Sequence, residues 1–241
     1  LTDNVTFSHD SVAFLQRGDS SVGLKEGNVI TLNQAMHAML LASANDAAIA
    51  LAEACAGDVD SFAEMMNEKA EELGAENTHF ANPNGLPDET HMTTVADMAL
   101  FAREAMKNET FRKIVSTYEY TIPATELQPE ARLIHNSNRL LYDEVHKAVI
   151  GDETRPYKYD GILGIKTGYT DAALHCLVGS AEKDNVRLIS VVLGASNING
   201  VNMSYPDTKA LFEWGFENFK NTPVVNAGET EDERGIKYAK G

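Results

Sequence analysis

Between residues 161 and 193 three alternating apolar–polar segments follow one another closely: 161–167, 174–181 and 187–193. Asp184-Asn185, between the last two, suits a tight hairpin turn. Connections this short leave no room for a crossover helix, so the segments are predicted to form an antiparallel sheet. Such a sheet must bury at least one face against another layer. An amphipathic stretch at 206–219 follows, and Leu211, Phe212, Trp214 and Phe219 are expected to cover the sheet.

The first 110 residues run instead at a helical period. Thr31 or Asn33 is placed to cap a helix through Met36, Met39 and Leu40, which breaks at Ser43-Ala44-Asn45. Asp46 opens a second helix over 47–56 with Glu53 as its only charge, so it is expected to be buried, and Gly57-Asp58 closes it. Asp60 or Ser61 opens a third, with Phe62, Met65, Met66, Ala70 and Leu73 on one face and Gly74 as its stop. A long loop, Asn82-Pro83-Asn84-Gly85-Leu86-Pro87, leads to Thr94, a cap for a helix over 95–106. His79 is assigned a structural role before that loop, and Asn84-Gly85 a turn with positive φ. The period then changes near residue 117, where 117–122 reads as a strand with Tyr118, Tyr120 and Ile122 on one face. Residues 143–159 are charged, carry Pro156 and are expected to be a surface insertion. The fold class is therefore α/β in the α+β sense, a helical subdomain packed on an antiparallel sheet.

Several functions are disfavoured. A net charge of −16 leaves little to neutralise phosphates, so no nucleic-acid partner is expected. No apolar run reaches the ~18 residues needed to span a bilayer. Two cysteines, Cys55 and Cys176, sit in apolar runs and are expected to be buried free thiols. The seven histidines include no H-E-x-x-H, so neither a metal nor another cofactor is expected. Met36, Met39, Met65 and Met66 are expected to fill core space.

Two short motifs stand out against this background. Lys166-Thr167-Gly168 lies on a predicted strand, in a stretch free of acids from Ile162 to Gly168, and offers a cation and a hydroxyl. Its glycine permits close approach by a ligand or another backbone. Ser43-Ala44-Asn45 lies at the helix break and offers a hydroxyl and a carboxamide. K-T-G and S-x-N are two of the three signatures of penicillin-interacting serine acyl-transferases. The third, S-x-x-K, carries the nucleophile and is expected to lie wholly outside these residues.

The motifs belong to a longer ordered series. It includes Leu40-Leu41-Ala42-Ser43-Ala44-Asn45-Asp46-Ala47-Ala48, Met66-Asn67-Glu68-Lys69-Ala70, Leu73-Gly74, Asn77-Thr78-His79-Phe80 and Asn82-Pro83-Asn84-Gly85-Leu86. It continues with Asn136-Ser137-Asn138-Arg139-Leu140-Leu141 and Gly161-Ile162-Leu163-Gly164-Ile165-Lys166-Thr167-Gly168-Tyr169-Thr170. In these the chain resembles the D-alanyl-D-alanine carboxypeptidases, low-molecular-mass penicillin-binding proteins that trim peptidoglycan stem peptides. The resemblance implies a β-lactamase/penicillin-binding transpeptidase-like fold over residues 1–220. The polar tail, 221–241, would then begin a C-terminal β domain.

What the resemblance implies for the site is specific. Ser43 would pass a proton between the nucleophile and the leaving amine. Asn45 would hold the substrate amide and the nearby lysine. Lys166 and Thr167 would hold the terminal carboxylate of the peptide or of a β-lactam antibiotic, and Gly168 would sit beside it. The backbone N–H of Tyr169 would supply half of the oxyanion hole. The nucleophilic serine and its lysine would lie on a helix upstream of the segment resembling Leu1–Ser8. The implied location is extracytoplasmic, with membrane attachment through a segment outside this chain left open. Two other functions stay open beside the carboxypeptidase: a class A-type β-lactamase and a non-catalytic cell-wall or penicillin-binding module. The first would need an acid-bearing loop for a deacylating water, and Asp143, Glu144, Asp152 and Glu153 form no recognisable pattern for one.

Overall fold

A computed structural model describes residues 1–221 and, beyond them, a short strand pair at Thr230–Glu231 and Lys237–Tyr238. The elements run β1 (Asn4–Thr6), α1 (His9–Ala13), β2 (Val29–Thr31), α2 (Leu32–Ala42), α3 (Asn45–Ala56) and α4 (Val59–Leu73). They continue with α5 (Val95–Ala105), α6 (Glu109–Val115), β3 (Glu119–Ile122), β4 (Arg132–His135), β5 (Lys147–Ile150) and β6 (Glu153–Pro156). The last are β7 (Ile162–Thr170), β8 (Leu174–Lys183), β9 (Val186–Ala195), β10 (Asn197–Ile198), β11 (Val201–Asn202) and α7 (Ser204–Asn218), before the final pair β12 and β13. The rest of the 221–241 tail lies outside the described residues.

Local chemistry explains the helix ends. Thr31 caps α2 through a full capping box: its hydroxyl accepts from the Gln34 N–H while the Gln34 side chain accepts from the Thr31 N–H. Asp58 caps α4, two to three residues earlier than expected from sequence, because its carboxylate accepts from the Ser61 N–H and hydroxyl. Gly74 ends α4 at φ 77°, a conformation in which a Cβ is strained. Thr94 caps α5 as expected.

The sheet is the predicted one, in the order β7-β8-β9, antiparallel throughout. Asp184 and Asn185 both take positive φ, as a type I′ hairpin requires. The helical region packs on it through a core that joins Leu41, Ala44, Ala47 and Ala50 to Val115, Ile165 and Val178. At Gly164, φ is 133° and an added Cβ would stand 2.8 Å from a Val115 methyl. That close approach seats β7 directly on α6.

Four expectations are corrected. Residues 143–159 are not a loose insertion: β5 and β6 form a hairpin whose Ala148, with Tyr157 just beyond, joins Leu140, Leu177 and Tyr205 in a second core. Pro156 sits at the end of an edge strand, where no N–H is required. On α7 only Phe212 among the four expected residues is buried; Leu211, Trp214 and Phe219 are exposed and border a groove with Val95 and Leu188. The buried side of α7 is formed instead by Tyr205, Thr208, Phe212 and Gly215. Cys55 is exposed and Cys176 half-buried, so the thiols are free but not both buried. Met65 is 46% exposed and fills no core.

Candidate active site

Ser43 terminates α2 in the left-handed region at φ 58°, a conformation that non-glycine residues adopt rarely. The turn is held from outside. The buried carboxylate of Asp46 accepts from the Ser21 hydroxyl at 2.6 Å and the Val22 N–H at 3.4 Å, and the Asn45 N–H donates to Ser20 O at 2.9 Å. The strained turn is therefore fixed by buried polar contacts, and it aims the Ser43 hydroxyl away from the helix toward the sheet.

Lys166 meets it there. Its Nζ donates to Ser43 Oγ at 2.7 Å and to Thr167 O at 2.9 Å. Residues 123 positions apart are thus one hydrogen bond apart. Two of the three ammonium N–H groups are engaged, leaving one for a ligand. Desolvation lowers the Lys166 pKa to about 8. Among the described residues no carboxylate offsets that cost, so the ammonium is held ready for an incoming anion.

The remaining expected residues are distributed as follows. Thr167 is half-buried and its hydroxyl lies 2.6 Å from Ser137 Oγ. Gly168 is exposed, and an added Cβ would meet only Cys176 at 3.7 Å, so crowding within the protein does not demand glycine there. Tyr169 is exposed; its ring lies tilted against that of His175 with centroids 4.6 Å apart, and its hydroxyl donates to Asp171. Asn45 is 8% exposed at the first turn of α3, and no hydrogen bond among the described residues joins its carboxamide to Lys166. β7 is an edge strand, so alternate N–H groups along it face away from the sheet.

One site residue was missed and one expectation about the motifs is corrected. Ser137 belongs to the site by its contact with Thr167, and its signal was the Asn136-Ser137-Asn138 triplet ahead of Leu140. The S-x-x-K spacing is also not wholly missing: Ser180-Ala181-Glu182-Lys183 carries it. That stretch lies on β8, where residues three apart point to opposite faces. Ser180 is fully buried and Lys183 is exposed, so the pair cannot act as nucleophile and base.

None of the four acids at 143–153 reaches Ser43 or Lys166 among the described residues. Asp143 accepts from His146 and Glu144 from Lys158. Asp152 and Glu153 sit exposed at the turn of the β5–β6 hairpin. Nor, among the described residues, does any of the four bond to Thr167.

A family profile described as D-alanyl-D-alanine carboxypeptidase matches residues 1–197. The D-alanyl-D-alanine carboxypeptidase DacF of Bacillus subtilis is 34% identical over 240 residues, covering all of this chain and 56% of that protein. The chain spans about half the length of the curated relatives it matches. The crystal structure of a D-alanyl-D-alanine carboxypeptidase from Mycobacterium tuberculosis superimposes with a TM-score of 0.76 at 30% identity, covering 90% of this chain and 75% of that one. The Streptomyces K15 DD-transpeptidase gives a TM-score of 0.77 at 28% identity, over 90% and 80% of the two chains.

Proposed function

Since the chain belongs to the D-alanyl-D-alanine carboxypeptidase family, we propose that it forms the K-T-G and S-x-N half of a serine-type D-Ala-D-Ala carboxypeptidase. The enzyme removes the terminal D-alanine of peptidoglycan stem peptides through an acyl-enzyme, and penicillins acylate the same serine. The 2.7 Å contact between Ser43 Oγ and Lys166 Nζ carries the proposal, because it joins both motifs at one point where the helical region meets the sheet.

The chemistry follows from the donors present. Lys166 and Thr167 bind the α-carboxylate, one as a cation and one as a hydroxyl. Ser43, linked to the ammonium, relays the proton from the nucleophile to the departing D-alanine amine. Asn45 steadies the scissile amide, and the Tyr169 N–H stabilises the tetrahedral oxygen with a partner from the nucleophile's own segment. The attacking serine and its base are supplied by an S-x-x-K helix upstream of Leu1. Action on stem peptides places the protein outside the cytoplasmic membrane.

The contacts of Asp143 with His146 and of Glu144 with Lys158, and the exposed position of Asp152 and Glu153 at a hairpin turn, weigh against a β-lactamase. The full-length protein is expected to release D-alanine from an N-acyl-D-Ala-D-Ala peptide much faster than it turns over penicillin. Rapid, repeated penicillin hydrolysis without D-alanine release would reverse that assignment.

The pH profile tests Lys166 separately. Its ammonium is protonated below about 8 and loses its charge above. The kcat/KM for a free-carboxylate peptide should therefore fall as pH rises through about 8, since kcat/KM reports the free enzyme. A bound carboxylate stabilises the ammonium, so the fall in kcat should be displaced to higher pH. A kcat/KM flat from about pH 7 to 9 would contradict the role of the ammonium.

A further inference from the structure

Ser137 is held on three sides. Its N–H donates to Leu41 O at 3.0 Å, at the end of α2, and its carbonyl accepts from the Tyr205 hydroxyl at 3.2 Å, on α7. Burial pushes the Tyr205 pKa up to about 12, so that hydroxyl remains a donor. On either side the Asn136 carboxamide donates to Val115 O and Thr117 O, and the Asn138 N–H donates back to Asn136 Oδ1. The backbone of Ser137 is thus fixed, and among the described residues its hydroxyl has one partner, Thr167 Oγ1 at 2.6 Å.

A pair of hydroxyls has two protons, and one of them is shared inside the pair. The other is free to point outward. The Thr167 side chain is β-branched and stiff at χ1, and its carbonyl is already occupied by Lys166. An anion beside Thr167 favours one orientation of the pair: Ser137 donates to Thr167, and Thr167 donates to the anion. A charge-assisted bond is strengthened when its donor is itself a hydrogen-bond acceptor.

We propose that Ser137 is a positioning residue for carboxylate recognition, orienting the Thr167 hydroxyl toward the substrate's terminal carboxylate and so setting the preference for a free chain end over a capped one. This rests on the carboxypeptidase reading above. It gives Ser137 a part in specificity rather than in bond breaking.

The test compares N-acyl-D-Ala-D-Ala with the same peptide ending in a carboxamide, on full-length wild-type, Ser137→Ala and Ser137→Thr proteins. Ser137→Ala removes only the hydroxyl, because the bonds to Leu41 and Tyr205 use the backbone, so folding should be retained. The ratio of kcat/KM for acid over amide should fall about tenfold or more in Ser137→Ala, the scale of one bond to a charged group. It should recover in Ser137→Thr, which restores a hydroxyl. An unchanged ratio, or an equal loss on both peptides, would overturn the proposal. If the wild type released neither D-alanine from the acid nor D-alaninamide from the amide, the carboxypeptidase reading would fall. The acid-to-amide ratio of dissociation constants for the same three proteins would still decide the role of Ser137.

Discussion

Replacing Lys166 with alanine in the full-length protein should lower kcat/KM for D-Ala-D-Ala peptides, and the rate of acylation by penicillin, by roughly 10²- to 10³-fold, the scale of losing one preorganised donor at a reacting centre. Two functions are lost together. The carboxylate loses its cation, and the Ser43 hydroxyl loses the donor that fixes its orientation at 2.7 Å. Stability should move little, and upward if at all, because a desolvated ammonium without an ion-pair partner is costly to fold. A thermal melt of the variant separates the two effects. An unchanged kcat/KM in a folded Lys166→Ala protein would mean that Lys166 does not hold the substrate carboxylate.

How much of this was legible beforehand depended on how local the signal was. The β7-β8-β9 sheet was readable because its period-2 pattern and the Asp184-Asn185 turn are local features. The helices of the first half were readable from their caps: Thr31, Thr94 and Gly74 each act through a hydrogen bond or a dihedral angle within a few residues. The fixed pairing of Ser43 with Lys166 was readable only as a motif resemblance, since nothing local specifies a contact 123 residues apart.

The misses share a cause. The β5–β6 hairpin was hidden because Arg155 and Glu153 share a face with the buried Ala148 and Ile150, which breaks the apolar alternation, and its buried partners Leu177 and Tyr205 come from later in the chain. The exposed Trp214 and Leu211 looked like core residues because periodicity gives a helix an apolar face but not its neighbours. The short β1–β2 pair and β4 were too brief to show a period. Ser137 carried no chemical signal of its own, as a serine between two asparagines reads as a turn. The Ser180–Lys183 spacing, expected to be absent, is present in the sequence, and β8 geometry disarms it.

The second large effect is all-or-none. The 241-residue chain should acquire no covalent penicilloyl group, because acylation needs a serine with a neighbouring base. Ser43 bonds an ammonium, which is a donor and not a base while protonated. Ser180 is buried and its spacing partner faces away. A protein extended upstream through an S-x-x-K helix should label stoichiometrically, and Ser43→Ala in that protein should slow both acylation and deacylation while leaving the fold intact. Intact-mass spectrometry after incubation with benzylpenicillin measures this directly. The account predicts one added penicillin mass on the extended protein and none on residues 1–241; an adduct on the 241-residue chain alone would contradict it.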